Sequence, residues 1–136
     1  MKILYVCEGN INRSQMAGTV HKALVPTDVV TTAGVYADYA GKKLSAVPQG
    51  SIESMRELGY DMSENVITQL TTQLVDDADK VVLMGAVPGG PIPEYLKASP
   101  KLETWDVPDP GYDQISVPGA RDMTIAKVRE MLQKDI

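Results

Sequence analysis

A polar loop with a single cysteine lies between the first predicted strand and the first predicted helix of this chain. Residues 3–6 (ILYV) form an apolar run of strand length. Residues 7–14 (CEGNINRS) follow directly, and the apolar residues after them recur at helical spacing. A strand, a short loop and a helix in this order are typical of open α/β folds, in which ligands bind where the strands end. This feature therefore predicts both the fold class and the position of the functional site.

Predicted strands and helices alternate along the rest of the chain. Helical spacing predicts helices at residues 14–24, 48–58 and 118–133, with shorter helical pieces near 70–75 and 93–96. Runs of β-branched or apolar residues predict further strands at 29–32, 80–84 and 101–105. We therefore expect one three-layer α/β domain over residues 1–136, with a four-stranded parallel sheet and helices on both faces.

Charge and cysteine content narrow the function classes. A net charge of −5 argues against nucleic acid as a partner. One cysteine allows neither an internal disulfide nor a Cys-rich metal site, and a free thiol fits the cytosol. Neither a signal peptide nor an apolar segment of spanning length is recognisable, so we expect a cytoplasmic protein without a membrane partner. The single histidine, His21, is interpreted as a surface or flank residue rather than a metal ligand, and the acidic residues at 76–79 as a solvated turn before a strand rather than a metal site.

The residue types in the loop after strand 1 suit nucleophilic attack on a phosphate. A helix N-terminus and an arginine both favour the thiolate of Cys7, which is the nucleophilic form. Arg13 can hold two phosphate oxygens with its planar guanidinium, and Ser14 can donate a hydroxyl to the sulfur. Gly9 and Asn10 suit a tight loop with left-handed backbone angles. The alternative is that Cys7 is an ordinary buried cysteine. The predicted substrate-binding residues of this phosphate-binding loop are Glu8, Gly9, Asn10, Ile11, Asn12 and Ser14.

A thiolate that cleaves a phosphate ester needs a separate proton donor for the leaving oxygen. Asp109 lies between two prolines in the loop after the fourth predicted strand, at the sheet edge where Cys7 is expected. We therefore expect the proton donor to come from this segment, with Asp109 as a candidate. Tyr36 and Tyr39, in the loop after the second strand, are candidates for the walls of the site. Of the tyrosines, Tyr36 and Tyr112 are the predicted substrate-binding residues.

These motifs together resemble the low-molecular-weight protein tyrosine phosphatase family, whose fold is shared by a class of arsenate reductases. The resemblance rests on Cys7-x5-Arg13-Ser14 and on Asp109-Pro110, and Thr32-Ala33-Gly34 and Gln69-Leu70-Thr71 agree with it. It covers essentially the whole chain. It implies that Cys7 is the nucleophile, Arg13 the phosphate clamp and Asp109 the acid and then the base. It also implies a phosphocysteine intermediate, without metal or cofactor.

Three positions depart from the family pattern. Glu8 adds a carboxylate to the phosphate-binding loop, where it would repel anionic peptides. Gly111 follows Asp109-Pro110 where phosphotyrosine phosphatases usually carry an aromatic residue, and Tyr112 comes one position later. Asn12 occupies the position of a second cysteine that some eukaryotic members use to trap the first one oxidatively.

Three functions remain open from the sequence. The first is hydrolysis of phosphotyrosine in a protein, or of a small aryl phosphate. The second is arsenate reduction with an external thiol, since Cys7 has no cysteine partner in the chain. The third is a non-catalytic module that binds anions. Phosphate, sulfate and arsenate are the expected ligands, and a monomer or weak dimer is the expected assembly.

Overall fold

The computed structural model describes residues 1–134, so the last two residues of the predicted domain lie outside it. Strands and helices alternate as the sequence pattern predicts. The strands are β1 (Lys2–Cys7), β2 (Val29–Gly34), β3 (Lys80–Leu83) and β4 (Leu102–Thr104). The helices are α1 (Arg13–Leu24), α2 (Ser51–Arg56), α3 (Thr72–Asp77), α4 (Glu94–Lys97) and α5 (Val117–Lys134), with a 3₁₀ turn at Leu44–Ala46.

The four strands form one parallel sheet in the order β2-β1-β3-β4. β1 is a central strand, and its register pairs Cys7 with Gly34 of β2 and Val6 with Leu83 of β3. Because all strands run in the same direction, the loops that follow β1, β2, β3 and β4 lie at one edge of the sheet. The predicted parallel α/β architecture is therefore confirmed.

The sheet separates two apolar cores, which makes the domain three layers thick. Side chains of β1 alternate between them: Ile3, Tyr5 and Cys7 join one core, and Leu4 and Val6 join the other. The first core is closed by α1, α2 and α5, which pack on one another. The second is closed by α3 and α4. Cys7 consequently faces the side of the sheet on which α1 begins.

Several predicted boundaries differ from the structure. The helix predicted at 48–58 is shorter in the structure, where it comprises only α2. The chain then turns at Gly59, whose φ of +88° stops a helix. Asp76 and Asp77 are not in a solvated turn but form the last two residues of α3. Asp79 does precede β3, and its carboxylate accepts a hydrogen bond from the Lys2 amide.

The prediction for His21 was wrong. His21 is fully buried on the inner face of α1, where its Nδ1 lies 2.6 Å from the hydroxyl of Tyr5. Its Nε2 lies 2.7 Å from the carboxylate of Asp28, in the turn before β2. A polar partner on each ring nitrogen is what makes full burial of an imidazole tolerable. No single-sequence pattern shows this pairing, because neither partner is adjacent to His21 along the chain.

Candidate active site

Cys7 is the last residue of β1, and α1 begins six positions later with Arg13. The Cys7 side chain is buried, and its Sγ lies 3.0 Å from the Oγ of Ser14 in the first turn of α1. The sulfur therefore sits at the carboxyl end of a central strand and beside a helix N-terminus. The helix N-terminus favours negative charge at this point.

The backbone of the loop at residues 8–12 turns its carbonyl groups outward. The Glu8 carbonyl accepts from the Tyr36 amide at 2.8 Å, and the Ile11 carbonyl accepts from the Ser51 hydroxyl at 2.9 Å. The Asn12 carbonyl accepts from an amide inside α1. Within residues 1–134, none of the amides of residues 9–12 donates to a protein acceptor. A loop with its carbonyls engaged outside and its amides free is suited to hold an anion.

Two residues allow the loop to take this shape. Asn10 has a φ of 58°, a left-handed conformation that asparagine tolerates better than most residues. Gly34 lies under the loop, and a Cβ at this position would come within 2.8 Å of backbone atoms of Glu8, Gly9 and Asn10. The glycine of the Thr32-Ala33-Gly34 motif therefore makes room for the loop backbone.

Arg13 extends from the start of α1 beneath the loops that follow β3 and β4. Its side chain is 2% exposed. Nη1 donates to the Val107 carbonyl at 3.0 Å, and Nη2 donates to the Ala86 carbonyl at 3.1 Å. Gly85 packs against it, since a Cβ there would lie 2.9 Å from Nη1. These contacts satisfy a buried guanidinium and fix its position beside the loop.

Asp109 reaches Arg13 from the loop after β4. Its Oδ2 accepts from Arg13 Nη2 at 3.2 Å, while its Oδ1 accepts from the Gly111 amide at 2.8 Å. The Asp113 carboxylate accepts from the Asp109 amide at 2.8 Å and so closes the turn. The structure therefore brings together the predicted clamp and the predicted acid, although 96 residues separate them.

The carboxylate of Glu8 joins three loops at the rim of the site. It accepts a hydrogen bond from the Gly89 amide, in the loop after β3. It also interacts with the hydroxyl of Tyr112, and this hydrogen bond is the main reason why the pKa of Tyr112 is raised above its usual value. The Tyr36 hydroxyl donates to the Pro91 carbonyl nearby. Two tyrosine rings and one carboxylate therefore form the rim around the phosphate-binding loop.

The other predicted residues have less direct positions. Ile11 is half-buried and packs against the first apolar core. Asn12 caps no helix amide, and its Oδ1 is buried without a partner among residues 1–134. Tyr39 is exposed, with the Lys42 ammonium 5.8 Å from its ring centre, and no contact connects it with the loop. The structure therefore favours Tyr36 over Tyr39 as a wall.

The sequence interpretation missed the residues that support the loop from behind. Gln15, Thr68 and Asn65 form hydrogen bonds around Asn10, and Ser51 holds Ile11. Apart from Gln15 and Asn10, these partners are 40 or more residues apart and leave no local signal in a single sequence. Across residues 1–134 the side chains form no cluster of metal-ligating groups, and no helix has the length and apolarity needed to cross a bilayer.

A buried cysteine beside a helix N-terminus, an anion-binding loop, a clamp arginine and an aspartate on the facing loop define the class of cysteine-dependent phosphatases. The model of the family "Low molecular weight phosphotyrosine protein phosphatase" matches residues 2–136. The chain belongs to this family, whose members are enzymes that hydrolyse phosphate monoesters. The resemblance inferred from the motifs is confirmed.

Individual relatives agree with the family assignment. The chain is 30% identical over 143 residues to "Probable low molecular weight protein-tyrosine-phosphatase EpsP" of Ralstonia nicotianae, covering 98% of this chain and 90% of that protein. It is 40% identical to the EpsP of Ralstonia solanacearum over 85 residues, which is 61% of this chain and 54% of that protein. An arsenate reductase of Staphylococcus aureus is 30% identical, with 79% of this chain and 77% of that protein covered.

Among solved structures, the fold is similar to "Vibrio vulnificus Wzb in complex with benzylphosphonate". The TM-score is 0.78 at 25% identity, and 98% of this chain and 97% of that chain are covered. The likeness therefore extends over the whole domain rather than over the phosphate-binding loop alone.

Proposed function

We propose that this protein hydrolyses aryl phosphate monoesters, phosphotyrosine in proteins among them, through a phosphocysteine on Cys7. The observation that carries the proposal is the convergence of Cys7, Arg13 and Asp109 on one loop with outward carbonyls. Cys7 supplies a nucleophile, Arg13 a fixed positive charge and Asp109 a carboxyl group. No further side chain is needed for the two displacements.

The reaction has two steps that use the same residues. In the first, Cys7 Sγ attacks phosphorus, the bond from phosphorus to the aryl oxygen breaks, and protonated Asp109 gives its proton to that oxygen. In the second, water attacks the phosphocysteine and gives a proton to the Asp109 carboxylate. The electron pair of the phosphorus–sulfur bond returns to Sγ, and inorganic phosphate leaves. Splitting one displacement into two lowers each barrier.

The ion pair between Arg13 and Asp109 suggests how substrate binding prepares the acid. Arg13 Nη2 donates to Asp109 Oδ2 at 3.2 Å. A phosphate dianion in the loop competes for this donor, because it carries more charge than one carboxylate. Once Arg13 turns to the phosphate, Asp109 loses this hydrogen bond and is available to the leaving oxygen. The clamp and the acid are thus coupled through one guanidinium.

The rim supports an aromatic leaving group and disfavours acidic neighbours. Tyr36 and Tyr112 offer two rings, so Tyr112 can provide the wall that Gly111 lacks. The Wzb structure holds benzylphosphonate, an aromatic phosphonate, which supports a similar ligand for this site. Glu8 places a negative charge at the rim, and the whole chain has a net charge of −5. Phosphopeptides with acidic flanks are therefore expected to bind worse than those with neutral or basic flanks.

Arsenate reduction is the second candidate, since an arsenate reductase is among the relatives. Arsenate can occupy a phosphate loop, and the Cys7 thiolate can form an adduct with it. Because Cys7 is the only cysteine in the chain, electrons would have to come from an added thiol such as glutathione.

The test is a side-by-side assay of the purified protein with p-nitrophenyl phosphate and with arsenate plus glutathione and glutaredoxin. We expect hydrolysis and no thiol-dependent arsenate reduction. Cys7→Ser should abolish turnover and leave phosphate binding, measured by calorimetry, in place. Reduction without hydrolysis would assign the second function, and phosphate binding without either activity would assign the anion-binding module.

A further inference from the structure

A directional chain of side-chain hydrogen bonds leads to the cysteine from behind the loop. Gln15, in the first turn of α1, is 2% exposed. Its Nε2 donates to the Asn10 carbonyl at 3.2 Å and to Asn10 Oδ1 at 3.1 Å, with a longer contact to the Val66 carbonyl. Its Oε1 accepts from Asn65 Nδ2 at 3.1 Å. Gln15 therefore has partners at both ends of its carboxamide.

The orientation of the Asn10 carboxamide follows from its donors. The Thr68 amide donates to Asn10 Oδ1 at 2.9 Å, and a backbone amide can only donate. Gln15 Nε2 donates to the same oxygen, so two donors identify this end of Asn10 as the oxygen. The opposite end is then Nδ2, which lies 2.8 Å from Ser14 Oγ and must donate to it.

This orientation determines where the Ser14 proton points. Ser14 has one hydroxyl hydrogen, and its oxygen already accepts from Asn10. Cys7 Sγ is the other partner of this hydroxyl, at 3.0 Å. The hydroxyl is therefore left to donate to the sulfur, which stabilises the thiolate in the resting enzyme and as the leaving group of the second step.

We infer that Gln15 is a positioning residue for the catalytic thiolate: held by Asn65, it acts through Asn10 and Ser14 to keep the serine hydroxyl aimed at Cys7. The inference rests on the proposed function only in that it assigns Cys7 the catalytic role. Gln15 touches neither the sulfur nor the anion-binding amides. Its effect passes through the orientation of one carboxamide.

Gln15→Met tests the inference, because methionine keeps the length and the helix propensity of glutamine but cannot donate. The first measurement is the pH profile of Cys7 alkylation by iodoacetate without substrate. We expect the profile to move to higher pH, and the rate at pH 6 to fall about 3–10-fold, the size expected when a hydrogen bond to a charged group is weakened. The second is turnover of p-nitrophenyl phosphate, where kcat should fall and KM should change less.

Thr19→Val is the matched control. Thr19 lies one turn further along α1 and accepts from Asn65 at 3.4 Å, but it makes no contact with Asn10. We expect its alkylation profile and kcat to equal those of the wild type. Gln15→Glu keeps the shape of the side chain but replaces the donor with an acceptor facing Asn10 Oδ1. It should therefore shift the profile at least as far as Gln15→Met.

A purely structural role predicts a different pattern, in which Gln15→Met lowers the melting temperature but leaves the alkylation profile unchanged. That result would overturn the inference. If Gln15→Met does not fold, the alkylation profile of Asn65→Ser tests the inference instead. This variant removes the side chain that holds Gln15 through its Oε1. The alkylation profile does not require turnover. A wild-type protein that reacts with iodoacetate but hydrolyses nothing would therefore contradict the proposed function and leave this inference testable.

Discussion

Arg13 shows at the scale of one residue why charge alone does not make a clamp. Three of its five donors are engaged, by two backbone carbonyls and by Asp109, and its side chain is almost fully buried. This arrangement uses the planar, forked geometry of a guanidinium. A lysine would bring the same charge on a flexible stem but could not reach all three acceptors.

Arg13→Lys should therefore lower kcat for p-nitrophenyl phosphate by about 10²-fold or more, in the range found when a single transition-state donor is removed. Arg121→Lys is the control, because Arg121 is also a buried arginine and donates to the Ser54 carbonyl and to Glu57, away from the site. It should lower the melting temperature and leave kcat within about twofold of the wild type, because a change away from the active site does not alter binding of the transition state. Comparable kcat losses in both variants would show that Arg13 acts through the fold.

The residues of the candidate site could be proposed from the sequence because their types and spacing are informative locally. Cys7, Arg13 and Ser14 lie in one short loop, and Asp109 is marked by its flanking prolines. Gln15 and Asn65 could not be found in this way. Their roles depend on the contact between two segments that are 50 residues apart in the chain. A polar residue in a helix also has many ordinary roles, so its presence does not indicate a site.

The loop after β4 is an element with a defined internal structure. The Asp113 carboxylate accepts from the Asp109 amide, and the Asp109 carboxylate accepts from the Gly111 amide. These bonds turn the Asp109 side chain toward Arg13. Asp106, in contrast, is exposed and lies between the buried residues Trp105 and Val107. Three aspartates in one loop thus have three different surroundings.

Asp109→Asn should lower kcat most for a poor leaving group. General acid catalysis contributes ~10²–10⁴-fold, so the loss with phenyl phosphate should approach this range. The loss with p-nitrophenyl phosphate should be smaller, because its leaving group needs less protonation. Asp106→Asn should have little effect. Asp113→Asn should have a small one, since asparagine can still accept from the Asp109 amide. An Asp106→Asn variant as damaged as Asp109→Asn, with its fold intact, would move the acid to another residue.

The contact of Glu8 with Tyr112 connects the phosphate-binding loop with the loop after β4. If the Tyr112 ring is the aryl wall, Tyr112→Ala should raise KM for p-nitrophenyl phosphate several-fold, because aromatic contacts contribute about 0.5–1.5 kcal/mol beyond area. Tyr112→Phe keeps the ring and loses only the hydroxyl to Glu8, so KM should rise less. Tyr39→Ala is the control, and its KM should match the wild type. Equal KM values for Tyr112→Ala and the wild type would exclude Tyr112 as a wall.

Element types were predictable because each strand and each long helix carries its own apolar period. The first and last residues of these elements were less predictable. The predicted helix at 48–58 shortens to α2, and the 3₁₀ turn at Leu44–Ala46 was not predicted. α2 ends before the turn at Gly59, and the 3₁₀ turn depends on hydrogen bonds to the segment around Ile67, which no local pattern describes. The predicted start of α5 near Pro118 is confirmed within one residue, since proline is tolerated in a first helical turn.

At the scale of the whole molecule, a series of polar contacts begins at the N-terminus, at the sheet edge opposite the site. It links the N-terminus to the turn before β2, to α1 and to β1. The α-ammonium of Met1 lies 3.1 Å from Asp28 Oδ1, and His21 Nε2 lies 2.7 Å from Asp28 Oδ2. His21 in turn contacts the hydroxyl of Tyr5, whose ring packs against Trp105 at 5.9 Å. β1, α1, the turn before β2 and the chain after β4 are therefore linked through one carboxylate.

Asp28 should give this linkage a defined dependence on pH. The hydrogen bond from His21, assisted by the Met1 ammonium, holds the pKa of Asp28 below its ordinary value of 3.8. A carboxyl group with a depressed pKa in the folded state stabilises the fold above its unfolded pKa, and the contribution is lost as pH falls through the folded value. The stabilisation by Asp28 should therefore be complete at neutral pH, begin to fall near pH 4 and be lost as pH passes through the lower pKa of the folded state.

Asp28→Asn should lower the melting temperature at pH 7 by roughly 3–8 °C, because a hydrogen bond to a charged group contributes about 1.5–3 kcal/mol and asparagine replaces only part of it. Differential scanning calorimetry between pH 7 and pH 3 would show the difference from the wild type shrinking at the acidic end. Asp76→Asn, at an exposed position, should lie within about 2 °C of the wild type throughout, as surface substitutions usually do. A constant Asp28→Asn difference across this range would show that the carboxylate is not what links the N-terminus to His21.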